Sequence, residues 1–251
     1  MNLCKIFRHI FFAATTLLSA GCARQHETAI PILMYHRISS ETNAWTISHD
    51  AFEKQLAAMR AAGFTSILPS DLPDIAAGKK SAPPKPVILT FDDGLLSAMT
   101  DAEPLLKKYG FRAIDYVITG CVADDAEHRK LFETAPCLTW PEIKEMKARG
   151  TFVFGGHSQT HVALDKSKDA RSEISECRQL LTERGGITPD SFCFPYGTCN
   201  DETVRIVSGN RFTTSMTAFD RVAKIGPRTN LLKLPRLWIR GPQLPAALEL
   251  K

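Results

Sequence analysis

The sequence predicts an α/β fold built on a parallel sheet with crossover helices. Apolar strand-like runs alternate with helix-period segments from Ile30 onward, the 251 residues suit one α/β barrel or two small domains, and no interior apolar run approaches the roughly 18 residues of a membrane-spanning helix. With 44% hydrophobic and 23% charged residues the chain can bury a sizeable core, which excludes wholesale disorder. Its 31 Lys+Arg against 27 Asp+Glu leave a net charge of only +4, which excludes a strongly basic nucleic-acid binder, and no nucleic-acid partner is expected.

Residues 1–21 read as a secretory signal: Lys5 and Arg8 precede the apolar stretch Ile10 to Leu18, which is too short to span a bilayer. Leu18-Ser19-Ala20-Gly21-Cys22 resembles the lipobox of bacterial lipoproteins, which implies a lipid on Cys22 and a membrane anchor, with 22–29 as anchor and short linker. Ala23, where Asp would retain such a protein at the inner membrane, points to the outer membrane, facing the periplasm. No repeat or linker divides residues 30–251, which read as one catalytic domain and are expected to be monomeric.

The elements follow in order. Ile30–Tyr35 suits a buried strand. Ser48 can cap a helix whose apolar face is Phe52, Leu56 and Met59, stopped by Gly63. Phe64–Leu68 and Val87–Phe91 read as strands, followed by a helix to about Tyr109 and a strand at 113–118. Thr139 and Glu142 form a capping box for a helix ended by Gly150, and Thr151–Phe154 returns to strand. A helix over 173–181, a strand at 192–194, a helix after Asn200 and strands near 211–214 and 234–239 complete the alternation.

Five cysteines remain beyond Cys4 and Cys22, an odd number, so at least one stays unpaired within the chain. Cys121 and Cys137 bracket a charged insert, 124–130, that a bridge could staple in an oxidising compartment; the alternative is small buried thiols. No CxxC spacing argues for structural zinc.

Three clusters carry the chemistry. Thr90-Phe91-Asp92-Asp93-Gly94 ends a buried strand, where α/β barrels place active residues. Successive strand side chains point to opposite sides, so the aspartates take different tasks unless a turn swings them together. His157-Ser158-Gln159-Thr160-His161 puts two histidines four apart, within reach of one metal if they share a face of a helical turn. Ser158, standing where an HExxH helix has its glutamate, argues against a zincin. Phe192-Cys193-Phe194-Pro195-Tyr196-Gly197 is an apolar strand ending in a turn.

Together, in this order, these motifs resemble the polysaccharide deacetylases, the NodB-type domain of carbohydrate esterase family four, over about Ile30 to Gly241. Met34-Tyr35-His36-Arg37-Ile38 is similar to the opening of the branch containing the biofilm poly-β-1,6-N-acetylglucosamine deacetylases, whose barrel is circularly permuted. The resemblance implies a distorted (β/α) barrel, (β/α)7, and a divalent metal, zinc first with cobalt or nickel as alternatives, held by Asp93, His157 and His161. It implies Asp92 as the base that takes a proton from water, and the backbone N–H of Tyr196 as a donor to the oxyanion. The expected reaction is hydrolytic removal of N-acetyl groups from an N-acetylglucosamine polymer, releasing acetate.

Two departures matter. The family's common arginine is replaced by Cys193, so Arg236 becomes the candidate for orienting Asp92, against a surface ion pair. No histidine follows His161, so the general acid falls to His36, as the permuted branch implies; the ordinary imidazole pKa of about 6.5 suits protonation of a leaving amine. Trp45, Trp140, Tyr196 and Trp238 are the aromatic candidates for sugar stacking, with Trp140 read as core and Trp45 as the platform. The alternatives are a C–N amidohydrolase acting on a small molecule and a catalytically silent glycan-binding lipoprotein. An open aromatic groove would favour polymer, and a closed pocket a small substrate.

Overall fold

Seven parallel strands close into a barrel in the computed structural model of the chain, which describes residues 27–40, 44–239 and 241–248. The expected signal segment and Cys22 lie outside the described residues. The barrel strands are β1 (Ile32–Tyr35), β2 (Pro86–Asp93), β3 (Ala113–Val117), β4 (Phe152–Gly156), β5 (Ser191–Cys193), β6 (Thr214–Asp220) and β7 (Leu234–Trp238). They pair in sequence order from β2 to β7, and β1 closes the ring by pairing with both β7 and β2. Closure satisfies the edge hydrogen bonds that an open sheet would expose. The helices α1 (His49–Ala61), α2 (Glu103–Tyr109), α3 (Trp140–Arg149), α4 (Ala170–Glu183) and α5 (Asp201–Gly209) alternate with the first six strands. Between β6 and β7 comes instead a short strand, Ala223–Ile225, antiparallel to Thr28–Ile30, so the barrel is distorted.

Local chemistry places most of these elements. Ser48 caps α1 by accepting from the Ala51 N–H, and Thr139 with Glu142 forms the expected capping box of α3. Gly110 and Gly150 end α2 and α3 in the left-handed conformation. Differences lie at strand ends: the strand expected at 64–68 pairs only at Thr65–Ser66, and the one expected from Arg211 starts at Thr214, because Arg211 has φ 62°.

Alternation along β2 divides two packed regions. Val87, Leu89 and Phe91 face outward, packing with Phe52, Leu56 and Met59 of α1, whereas Ile88 joins Ile32, Ile114, Tyr116, Met216 and Leu234 in a second cluster inside the ring. The interior is tight at Gly155: a Cβ there would meet the Tyr116 ring at 2.6 Å and the Ser191 carbonyl at 2.7 Å. Tyr116 in turn shares a 2.7 Å hydrogen bond with Ser191 Oγ, to which Thr214 also donates.

Trp140 is core, 5% exposed. The five described cysteines are thiols, three of them buried.

Gly155→Ala should therefore destabilise the barrel by about 1–3 kcal/mol through overpacking. A denaturant titration checks this, and an unchanged midpoint would show that the barrel floor can relax.

Candidate active site

The C-terminal ends of the strands open on a cavity of about 320 Å³ that brings Asp92, Asp93, His157, His161, His36, Tyr196 and Arg236 to one place. Asp92 follows the strand alternation and points into the barrel. Asp93 does not continue it: with φ 79°, followed by Gly94 at φ 69°, the chain turns left-handed and swings the second carboxylate to the same mouth.

Asp92 is held by Arg236. The guanidinium, 1% exposed, donates from Nη1 and Nη2 to the two oxygens of Asp92 at 2.7 and 2.8 Å. Nε donates to the Thr217 carbonyl, Nη1 also to Thr90 Oγ1 and Nη2 also to Cys193 Sγ, so five hydrogen bonds engage its donors. Arg236 is thus not a surface ion pair. Burial alone would raise the Asp92 pKa, but the charge and the hydrogen bonds of the Arg236 guanidinium outweigh it and hold the carboxyl well below the usual range.

The histidines reach the mouth on a loop. The expected helical turn is absent: 157–161 is irregular, with Ser158 at φ 62° and His161 at φ 61°. Position 157 is set by its N–H bonding the Val117 carbonyl, and Ser158 Oγ accepts from the His161 N–H. Buried Glu173 of α4 accepts from the Gln159 and Thr160 N–H groups at 2.9 and 2.8 Å. Sequence reasoning missed Glu173, since a glutamate in a first helical turn reads as ordinary dipole complementation. It also missed Asp115, fully buried on β3 with both oxygens unpaired and its pKa pushed well up by burial and by Asp92 and Asp93.

Three of these groups suit a metal. Asp93 Oδ1 lies 3.6 Å from His157 Nε2 and 3.8 Å from His161 Nε2, and the three donor atoms fall within 4.8 Å of one another. Ligand arms of roughly 2.0–2.2 Å around one zinc-like ion imply donor separations close to these. His157 Nδ1 lies 2.8 Å from the Cys193 carbonyl, an acceptor, so Nδ1 carries the hydrogen and Nε2 presents its lone pair. Burial lowers the pKa of His157 to about 4 and of His161 to about 3, which keeps both as neutral donors. Burial, then Asp92 and Glu133, push Asp93 well above the carboxylate range, a state that a bound cation would reverse. The residues fit the group. A second donor set, Asp92, His157 and Cys193, is closed to cations by the Arg236 guanidinium, which bonds both Asp92 and Cys193.

His36 stands across from this set, its Nε2 3.8 Å from Asp92 Oδ2. Burial lowers its pKa to about 4, against the opposing pull of Asp92, so at neutral pH it is an uncharged imidazole. That corrects the expectation of an imidazole titrating near its ordinary value. Tyr196 adopts φ 60° beside Gly197 at φ 68°, where a Cβ would lie 2.1 Å from Ala218 Cβ; its ring, 64% exposed, leans over His161 at 4.7 Å. Trp45, 45% exposed, lies between His36 (4.8 Å) and Trp238 (5.6 Å), forming an aromatic rim.

The family model described as polysaccharide deacetylase matches residues 79–214, more than half of the chain. The chain belongs to the polysaccharide deacetylase family. His36 and Arg236 fall outside the matched residues, on the first and last barrel strands or just beyond them. The chain is 23% identical over 215 residues to a poly-β-1,6-N-acetyl-D-glucosamine N-deacetylase of Staphylococcus aureus, covering 80% of this chain and 70% of that protein. The Streptococcus pyogenes deacetylase PplD, solved in complex with acetate, superposes with a TM-score of 0.75 and 28% identity over 86% of this chain and 96% of its own. IcaB from Ammonifex degensii gives 0.72 and 26% over 86% and 93%.

Glu173→Ala should release the 157–161 loop and weaken binding of added zinc by about 10–100-fold, the usual weight of a supporting contact to a ligand. Isothermal titration of the metal-stripped protein measures this; an unchanged affinity would mean that the loop holds itself.

Proposed function

We propose that this polysaccharide deacetylase removes N-acetyl groups from an N-acetylglucosamine polymer, releasing acetate, with a β-1,6-linked chain as the first substrate to consider. The observation that carries the reading is an Arg236-held ionised Asp92 beside the Asp93, His157 and His161 donor set, within a mouth rimmed by Trp45, Trp238 and Tyr196. The exposed aromatic rim favours an extended glycan over an enclosed small molecule. The activity for which the Staphylococcus aureus relative is named supports the choice of polymer. A lipid anchor on Cys22, facing the periplasm, belongs to the same reading and rests on the lipobox.

Asp93, His157 and His161 would hold the divalent ion, zinc in our reading. When bound, it supplies Lewis acidity toward the acetamide carbonyl and makes a neighbouring water easier to deprotonate. Asp92, ionised and oriented by Arg236, accepts the proton of the attacking water. His36 holds a proton better than Asp92, about 4 against a lower value, so the proton passes to His36 and then to the departing sugar nitrogen. The Tyr196 N–H, held in the left-handed turn, donates to the oxyanion. Trp45 stacks on a sugar face while its other neighbour, Trp238, extends the platform.

Acetate release from β-1,6- and β-1,4-linked N-acetylglucosamine oligomers, with and without chelator, tests the reading. Release that chelator abolishes and zinc restores is expected; hydrolysis of small amides with none of the oligomers would overturn it. Asp92→Asn should retain zinc and lose about 10²–10⁴-fold in turnover, the usual weight of a general base. Because His36 must be neutral to receive the proton, activity should fall as pH drops toward about 4 and show no His36-dependent decline between pH 6 and 8. A decline in that window that disappears in His36→Gln would restore an imidazolium donor in the resting enzyme.

A further inference from the structure

Cys121 and Cys137 lie together although 16 positions separate them in sequence. Cys121 ends the 3-10 turn Thr119–Cys121 that follows β3, and Cys137 follows a hairpin made of Leu131–Phe132 and Ala135–Pro136. Downstream the two segments run parallel, bridged at Ala123 and Thr139, with the Trp140 N–H bonding the Ala123 carbonyl at 3.0 Å. Each cysteine lies two residues before that bridge, and Cys121 packs against the small buried cluster that contains Cys137. A disulfide needs Cα atoms about 4.4–6.8 Å apart, a range open to two side chains packed in one cluster beside a shared bridge. The other described cysteines face elsewhere: Cys177 toward the Val117 carbonyl, Cys193 toward Asp92 and Arg236, and Cys199 toward the cluster containing Leu164 and Val207.

We propose that Cys121 and Cys137 are a disulfide-forming pair that closes the segment 121–137 and fixes one wall of the cavity. The closed segment carries the hairpin whose tip residues, Glu133 and Thr134, have φ 44° and 70°. Phe132 of that hairpin packs edge-on against His161 at 4.9 Å, and Phe132, Glu133 and Ala135 line the cavity. The hairpin follows the exposed charged insert, so a covalent link at its base removes the freedom that the insert would otherwise lend it.

The oxidant is a small-molecule or protein disulfide. Cys121 is the more accessible thiol, and the neighbouring Cys137 thiol and the charge of Lys130 lower its pKa, whereas that of Cys137 is raised. Its thiolate attacks one sulfur of the oxidant, forming a mixed disulfide and expelling the other sulfur as a thiolate. Cys137 then loses its proton and attacks Cys121 Sγ, expelling the second thiolate. Two protein thiols have given up two electrons, the oxidant disulfide has become two thiols, and the two protons end on them.

The full chain and its Cys121→Ser variant, each equilibrated with oxidised glutathione, are denatured, alkylated and digested. The expected result is a cross-linked peptide pair joining Cys121 to Cys137, about 2 Da lighter than the reduced pair, and no such link in the variant. Separate alkylation of both cysteines, glutathione retained on Cys121 or a link to another cysteine would overturn the proposal. Tryptic cleavage of the native protein after Arg129 and Lys130 should also be slower in the oxidised wild type than in the reduced one, with no redox dependence in Cys121→Ser. Equal rates in the two wild-type forms would overturn the part that concerns the wall.

Discussion

The arginine inside the barrel is the constraint on which the site depends. Arg236 extends from β7 past β1 to Asp92 on β2, and its remaining donors are taken by Thr90, Thr217 and Cys193. A charge this deeply buried is tolerated because every hydrogen bond it can donate is met and its partner is ionised; removing either member would leave the other stranded. The pair therefore ties β7 to β2 across the ring and sets the protonation state of Asp92. Cys193 is part of the same arrangement. Its small side chain lies against the guanidinium, in the place where a larger residue would compete for the space.

Adjacent aspartates end in opposite electrostatic states for one geometric reason. Asp92 keeps the strand alternation and meets the guanidinium, whereas Asp93, itself left-handed, turns toward neutral histidines and negative neighbours. The first is an anion held ready to accept a proton; the second is a carboxyl that gains most from a cation. Burial also keeps the three histidines neutral at pH 7, the state in which His157 and His161 can present lone pairs to a cation and His36 can accept a proton.

Around this rigid floor, the walls come from connections rather than strands. Tyr196 comes from the turn after β5, Phe132 and Glu133 from the hairpin after β3, and Trp45 from the segment after β1, with Trp238 at the end of β7. Barrels of this kind separate stability, carried by strand and helix packing, from recognition, carried by the loops at one end.

Much of this was legible in the sequence. Period-two and helical patterns located the strands and helices because each depends on neighbours within a few residues, and the caps at Ser48 and Thr139 are local hydrogen bonds. The motifs around Asp92, His157 and Tyr196 carried the family and the residue types. Tertiary structure decided the rest. The sequence allowed Arg236 to be a surface ion pair; barrel closure, 144 residues from Asp92, placed it in the interior. A helical turn could have joined His157 to His161, but backbone bonds to β3 and to Glu173 of α4 shaped an irregular loop instead. The protonation of His36 was also beyond sequence, because it depends on how much water the closed barrel excludes and on which charges it brings near.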